Sequence, residues 1–190
     1  MRICVFSHQR SGSSVLCNLL AEKHNIENLG EWFDHKTFDE ALYEKLYADD
    51  YVVKIMASDF LKEVKSDKIP WHLFDQIIVT EREDKTIAMA STYIVENEFN
   101  NINVPYNFEL PNEFFITWCK ILREFFYWKR YILKNFENAT HYYLTDIFKL
   151  LVENNYSRLR EIKKDYYIRC VNLKFFEPKI NRLCKSLTSY

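Results

Sequence analysis

Short apolar runs alternate with amphipathic stretches along this chain, and that alternation predicts its elements. RICVFS (2–7) is brief, apolar and partly β-branched or aromatic, the pattern of a buried strand. YVVKIM (51–56) and QIIVTE (76–81) repeat it, the latter most clearly, and THYYLTD (140–146) is a fourth candidate. Between them the period lengthens. In SSVLCNLLAEKH (13–24), Val15, Leu16, Leu19 and Leu20 fall on one helical face, with Ser11 or Ser13 available as the cap. Helices are also expected over 39–49, 58–67 and 84–99, the last with Asp84 as N-cap. A long aromatic helix is expected over 113–136, a further one through 147–155, and part of the Lys/Arg-rich tail should be helical. A short strand or turn surrounds Gly30, and the two prolines and several asparagines of 99–112 predict a long loop.

Strands alternating with helices argue for an α/β fold: a mainly parallel sheet with helices on both faces, in three layers. The absence of linkers and repeats over 190 residues makes 1–190 a single domain. Such sheets bind ligands beyond the carboxyl ends of their strands. The stretch HQRSGSS (8–14) falls at such an end, and it holds one of only two glycines in the chain.

Composition narrows the partners. Hydrophobic residues make up 48% and aromatic residues 17%, enough for a full core and with room for a homodimer contact. The aromatic series Phe114, Trp118, Leu122, Phe125 and Trp128 has helical spacing and reads as core. A net charge of -1 disfavours coating of nucleic acid while leaving scope for a local basic pocket. Five cysteines, an odd number with no C-x-x-C pair, disfavour a zinc site or disulfide framework and point to reduced thiols in the cytoplasm. No run reaches the roughly 18 apolar residues needed to span a bilayer.

The candidate chemistry sits in the first loop. Arg10, Ser11, Gly12, Ser13 and Ser14 between strand and helix form the makings of an oxyanion cradle. A helix start leaves backbone N–H groups unpaired and carries a partial positive charge. Gly12 permits close backbone approach, the serines add donors, and Arg10 adds a planar cation. The nucleotide-phosphate loop G-x-x-x-x-G-K-[ST] is not present, which disfavours magnesium-dependent kinase chemistry.

RSGSSVL (10–16) resembles the 5′-phosphosulfate loop of sulfotransferases, and the family it resembles most is that of bacterial trehalose 2-sulfotransferases. GEWF (30–33) looks like that family's E-[YF]-F element, VVKIM its G-V-K-hydrophobic strand, and IIVTEREDKTIAMAS its strand–R-x-D-K…S segment. The likeness covers roughly residues 1–95. It departs at Gln9, where relatives have proline, at Glu83, where some have arginine, and in the nine-residue step from Arg82 to Ser91, where many have eight.

The resemblance implies transfer of a sulfuryl group from 3′-phosphoadenosine 5′-phosphosulfate (PAPS) to a hydroxyl of a carbohydrate or small molecule, releasing PAP, with no metal. Arg10, Ser11, Gly12, Ser13 and Ser14 would hold the 5′-phosphosulfate, and Arg82 and Ser91 the 3′-phosphate. The general base would be Glu31, with His35 second and Asp34 third; Trp32 and Phe33 would line the acceptor pocket or anchor the loop. His8 reads as a strand-end residue shaping the pocket. Lys174, Lys179 and Arg182 are candidates for a further phosphate clamp, and loop 99–112 for acceptor selection. The alternatives are another phosphate-loop nucleotide-binding protein, such as a kinase, or a non-catalytic relative.

Overall fold

The computed structural model describes residues 1–31, 44, 46–47, 50–61, 69–105, 107–154 and 170–189. Five strands form one sheet: β1 (Arg2–Ser7), β2 (Glu27–Glu31), β3 (Tyr51–Met56), β4 (Gln76–Glu81) and β5 (Ala139–Tyr143). Their order is β2-β3-β1-β4-β5, and every neighbouring pair is parallel. The central strands can be continuous apolar runs because helices cover both faces.

Side-chain alternation divides the core into two layers. Ile3, Val5, Val52 and Ile78 point to one face, where Leu16, Cys17 and Leu19 of α1 (Ser13–His24) and Ile147 and Leu151 of α4 (Leu144–Glu153) cover them. Cys4, Phe6, Val53, Ile55, Ile77 and Val79 point to the other. There they meet α2 (Lys85–Phe99), α3 (Asn112–Asn135) and α5 (Leu173–Thr188) through residues such as Met89, Trp118, Phe125 and Phe176. Phe6 stacks on Phe125 with ring centroids 5.7 Å apart. Trp118, Leu122 and Phe125 are buried, and Phe114 and Trp128 pack at the margin of the same cluster, so the aromatic stripe of α3 is core.

Several expectations change in detail. The fourth apolar candidate ends as a strand at Tyr143, because the Asp146 carboxylate accepts the Tyr143 N–H at 3.0 Å and starts α4 at Leu144. Around Gly30 the chain forms a true edge strand, paired with β3 across an irregular register. Of the helix expected over 58–67, the described part is a 3-10 turn, Ala57–Leu61, and most of the helix expected over 39–49 lies outside the described residues. Loop 99–112 is tied down: Phe108 bridges to Cys170, and the Asn172 side chain bonds both the N–H and the carbonyl of Leu110.

The strand order creates a crevice. From β1 the chain proceeds to β2 on one side of the sheet, whereas from β4 it proceeds to β5 on the other. The carboxyl ends of β1 and β4 therefore diverge, and such a switch point is where open α/β sheets take their ligands.

Candidate functional site

β1 and β4 stay paired as far as Ser7 and Thr80, and beyond that point the two chains separate. The β1 chain turns through Arg10 (φ 61°) and Gly12 (φ 84°), both left-handed, and enters α1 at Ser13. Neither serine expected as the cap performs that role. The Ser11 hydroxyl is buried and bonded to Thr80 Oγ1 at 2.9 Å, Ser13 is already helical, and Gly12 stands at the N-cap with no side chain to offer. The N–H groups of Ser13, Ser14 and Val15 thus begin a helix without intrahelical acceptors. A Cβ at Gly12 would come within 2.6 Å of Leu144 Cδ1, so that side chain would have to shift.

The other wall of the crevice is the β4 exit and α2. Asp84 caps α2 as expected, accepting from the N–H groups of Thr86 and Ile87 at 2.9 and 2.8 Å. Ser91, buried on α2, accepts a hydrogen bond from Arg10 Nε at 2.9 Å. The nine-residue step from Arg82 thus leaves Ser91 facing the loop. Arg82 donates its backbone N–H to His8 Nε2 at 3.1 Å. Glu83, whose charge would oppose an anion, is engaged elsewhere, accepting from Thr145 Oγ1 at 2.5 Å. Burial raises the Glu83 carboxyl, but the Thr145 hydrogen bonds and the nearby Lys85 charge outweigh this and hold it below its ordinary value.

Next to this lies a buried charge cluster. Glu81 is paired with Lys85 at 2.6 Å and with Lys129, and His141 Nε2 stands 3.0 Å away. Burial alone would raise the Glu81 carboxyl; His141, Lys85 and Lys129 more than offset it and keep the group well below the carboxylate range. The same burial lowers the Lys85 ammonium, against the pull of Glu81. This cluster fixes the end of β4 and the start of α2.

Glu31 closes β2 and is ion-paired with Lys54 of β3, its register partner. The Lys54 ammonium also donates to Ser14 Oγ at 2.6 Å. Lys54 is the residue that sequence reasoning passed over as a site residue. The available signal was a lysine in the middle of the apolar run YVVKIM, a place where a charge is retained only if it is paired. It joins the carboxylate on one side to the loop hydroxyl on the other, and its charge adds to the positive end of α1. His35, Trp32, Phe33 and Asp34 lie outside the described residues. Of the tail cations, Lys179 Nζ sits 3.5 Å from the Phe175 ring centroid.

One wall of the crevice carries Arg10, the loop serines and the start of α1, and Ser91 stands on the other. Gln9 Oε1 beside the loop is buried with no hydrogen-bond partner among the described residues, an acceptor suited to a ligand hydroxyl or amine. Among the described residues, no group of three or more His, Cys, Asp or Glu side chains is arranged to hold a metal, and no helix is long and apolar enough to cross a membrane.

The five-stranded parallel sheet, with helices around it and its crevice at the β1/β4 switch point, is an α/β fold of the sulfotransferase kind. One solved structure it resembles is mouse sulfotransferase SULT7A1 complexed with PAP, with a TM-score of 0.50 and 12% sequence identity over 98% of this chain. The match covers 64% of the mouse chain, so this chain spans less than two thirds of its neighbour. No protein-family model matches the sequence, and no curated protein matches it.

Proposed function

We propose that the chain is a PAPS-dependent sulfotransferase that acts on a hydroxyl of a carbohydrate or small molecule, in line with the motifs it shares with trehalose 2-sulfotransferases. The observation that supports this reading is the hydrogen bond from Arg10 to Ser91 across the switch-point crevice. Arg10, Ser11, Gly12, Ser13 and Ser14 bind the 5′-phosphosulfate end, and Arg82 and Ser91 bind the 3′-phosphate. The donor supplies an activated sulfuryl group; the remaining work belongs to the chain's own residues. Arg10 and the α1 N–H groups are fixed donors aimed at growing negative charge, so they stabilise it without reorganising. Glu31 takes the proton of the acceptor hydroxyl, with His35 as the alternative base, and Lys54 orients the carboxylate toward the loop. A positioned base of this kind contributes roughly 10²–10⁴-fold.

The test is a calorimetric titration of PAP against ATP and AMP, with and without magnesium. PAP is expected to bind tightly without metal, and Arg10→Ala to abolish that binding. Binding of ATP that requires magnesium, with no preference for PAP, would replace this reading with a kinase-like one. PAP binding without turnover over a broad acceptor panel would leave a non-catalytic nucleotide-binding protein.

A further inference from the structure

A further link between the two walls of the crevice is a histidine with no place in the chemistry above. His8 follows the last paired residue of β1 and is fully buried. Its Nε2 faces the backbone N–H of Arg82 at 3.1 Å, and its Nδ1 faces the carbonyl of Gln9 at 2.8 Å. The Arg82 N–H can only donate and the Gln9 carbonyl can only accept, so both contacts are satisfied by one species: the neutral ring with its proton on Nδ1. Phe125 and Trp118 meet the ring edge-on at 4.8 and 6.0 Å and hold its plane.

We infer that His8 is a positioning residue that fixes the span between the loop at Arg10–Ser14 and Arg82, and thereby makes the crevice selective for nucleotides carrying anions at both the 5′ and 3′ positions. The inference rests on the proposed donor site and adds its selectivity. Sheet hydrogen bonding no longer controls the separation of the chains beyond Ser7 and Thr80. Links above that level include the Ser11–Thr80 hydroxyl pair, the Arg10–Ser91 bond and this imidazole. Of these three, the imidazole grips main chain on both walls, directly before Arg10 and at Arg82 itself. A ligand gripping one wall tolerates a change in span; a ligand gripping both does not.

The surroundings keep the ring in its bridging form. It faces Gln9 next to it in the chain, Glu81 and Arg82 at the β4 exit, Lys85 on α2, and Trp118 and Phe125 on α3. Burial first, then the Lys85 charge, lowers its pKa from 6.5 to about 3, so the acceptor at Nε2 persists through the neutral range.

The experiment compares Kd for PAP with Kd for AMP in the full chain and in His8→Phe and His8→Gln. Phenylalanine fills the space but leaves Arg82 N–H without an acceptor; glutamine restores an acceptor oxygen. His8→Phe is expected to weaken PAP about 10-fold or more while changing AMP little, and His8→Gln to recover most of the loss. An unchanged PAP:AMP ratio in His8→Phe, with the wild type preferring PAP, overturns the inference and leaves the sulfotransferase reading standing. A wild type with no preference for PAP overturns both. If His8→Phe does not fold, imidazole ¹⁵N NMR of the wild type decides: a single neutral Nδ1–H ring from pH 5 to 8 supports the strut, and a ring that titrates in that range refutes it.

Discussion

Replacing Gly12 by alanine tests the junction on which the loop depends. Two costs add. A side chain at φ +84° occupies the left-handed region, worth about 1–2 kcal/mol. The new Cβ also meets Leu144 Cδ1 at 2.6 Å and Ile147 Cδ1 at 3.3 Å. Leu144 can rotate, but only by giving up its seat beside the loop, and overpacking of this kind costs about 1–3 kcal/mol. The lower entropy of the unfolded alanine chain returns about 0.4–1 kcal/mol. The net loss is about 2–4 kcal/mol, or roughly 5–15 °C in Tm for a chain of this size. Gly30 is the internal control. It has φ +69° with nothing within 4 Å of a Cβ, so Gly30→Ala carries the backbone cost alone, about 1 kcal/mol. Urea denaturation of both variants, and of Gly12→Ala combined with Leu144→Ala, separates the two terms. The double variant should recover about 1 kcal/mol as coupling energy. Equal losses at Gly12 and Gly30, or no coupling with Leu144, would refute the packing of α4 on the loop.

Acid should weaken the fold through His8. Its folded pKa lies near 3 against 6.5 unfolded, so between those values the unfolded chain binds the extra proton and stability falls as pH falls, by about 1.4 kcal/mol per pH unit. His8→Gln should flatten urea-derived stability between pH 6.5 and 4.5, and an unchanged slope would mean that His8 is not buried neutral. Glu81→Gln leaves Lys85 and Lys129 around a neutral amide in a nearly closed site, with a loss of about 3–5 kcal/mol expected in the same assay; a loss under about 1 kcal/mol would show that water already reaches the cluster. Glu31→Gln should cut kcat by about 10²-fold or more and leave PAP affinity nearly intact, and Lys54→Met should lower kcat in the same direction. Unchanged turnover in Glu31→Gln moves the base to His35.

The fold was legible where burial dominates. RICVFS, YVVKIM and QIIVTE are apolar because helices cover both faces of a parallel sheet, and nothing local competes with that signal. β2 was ambiguous for the opposite reason: ENLGE is a half-exposed edge strand containing a left-handed glycine, so neither hydrophobic period nor propensity marks it. At the site, the loop residues could be named from their types and position, whereas their partners could not. The bonds from Arg10 to Ser91, Ser11 to Thr80 and Lys54 to Ser14 join positions 81, 69 and 40 residues apart, and only the strand order brings them together. The cap of α1 was misassigned because serine is the commoner N-cap, while here the tertiary bond to Thr80 takes Ser11 away.

That missing cap bears on function. Among the described residues, three α-helices begin at the carboxyl edge of the sheet: α1, α2 and α4. α2 is closed by the Asp84 carboxylate, and α4 carries Asp146 in its first turn, bonded back to Tyr143. Each thereby satisfies the positive end of its dipole from within. α1 has a glycine at the N-cap and no acid in its first turn, and the Lys54 cation bonds Ser14 in that turn. A glycine at this position forgoes only about a few tenths of a kcal/mol of capping relative to Ser, Thr, Asn or Asp. Among these three helices the deficit is confined to α1, while the acids nearby are engaged: Glu81 and Glu31 pair with lysines, and Glu83 accepts a hydrogen bond from Thr145. On the function proposed above, a helix start without an internal acid and with the nearby acids engaged favours an external anion at this terminus.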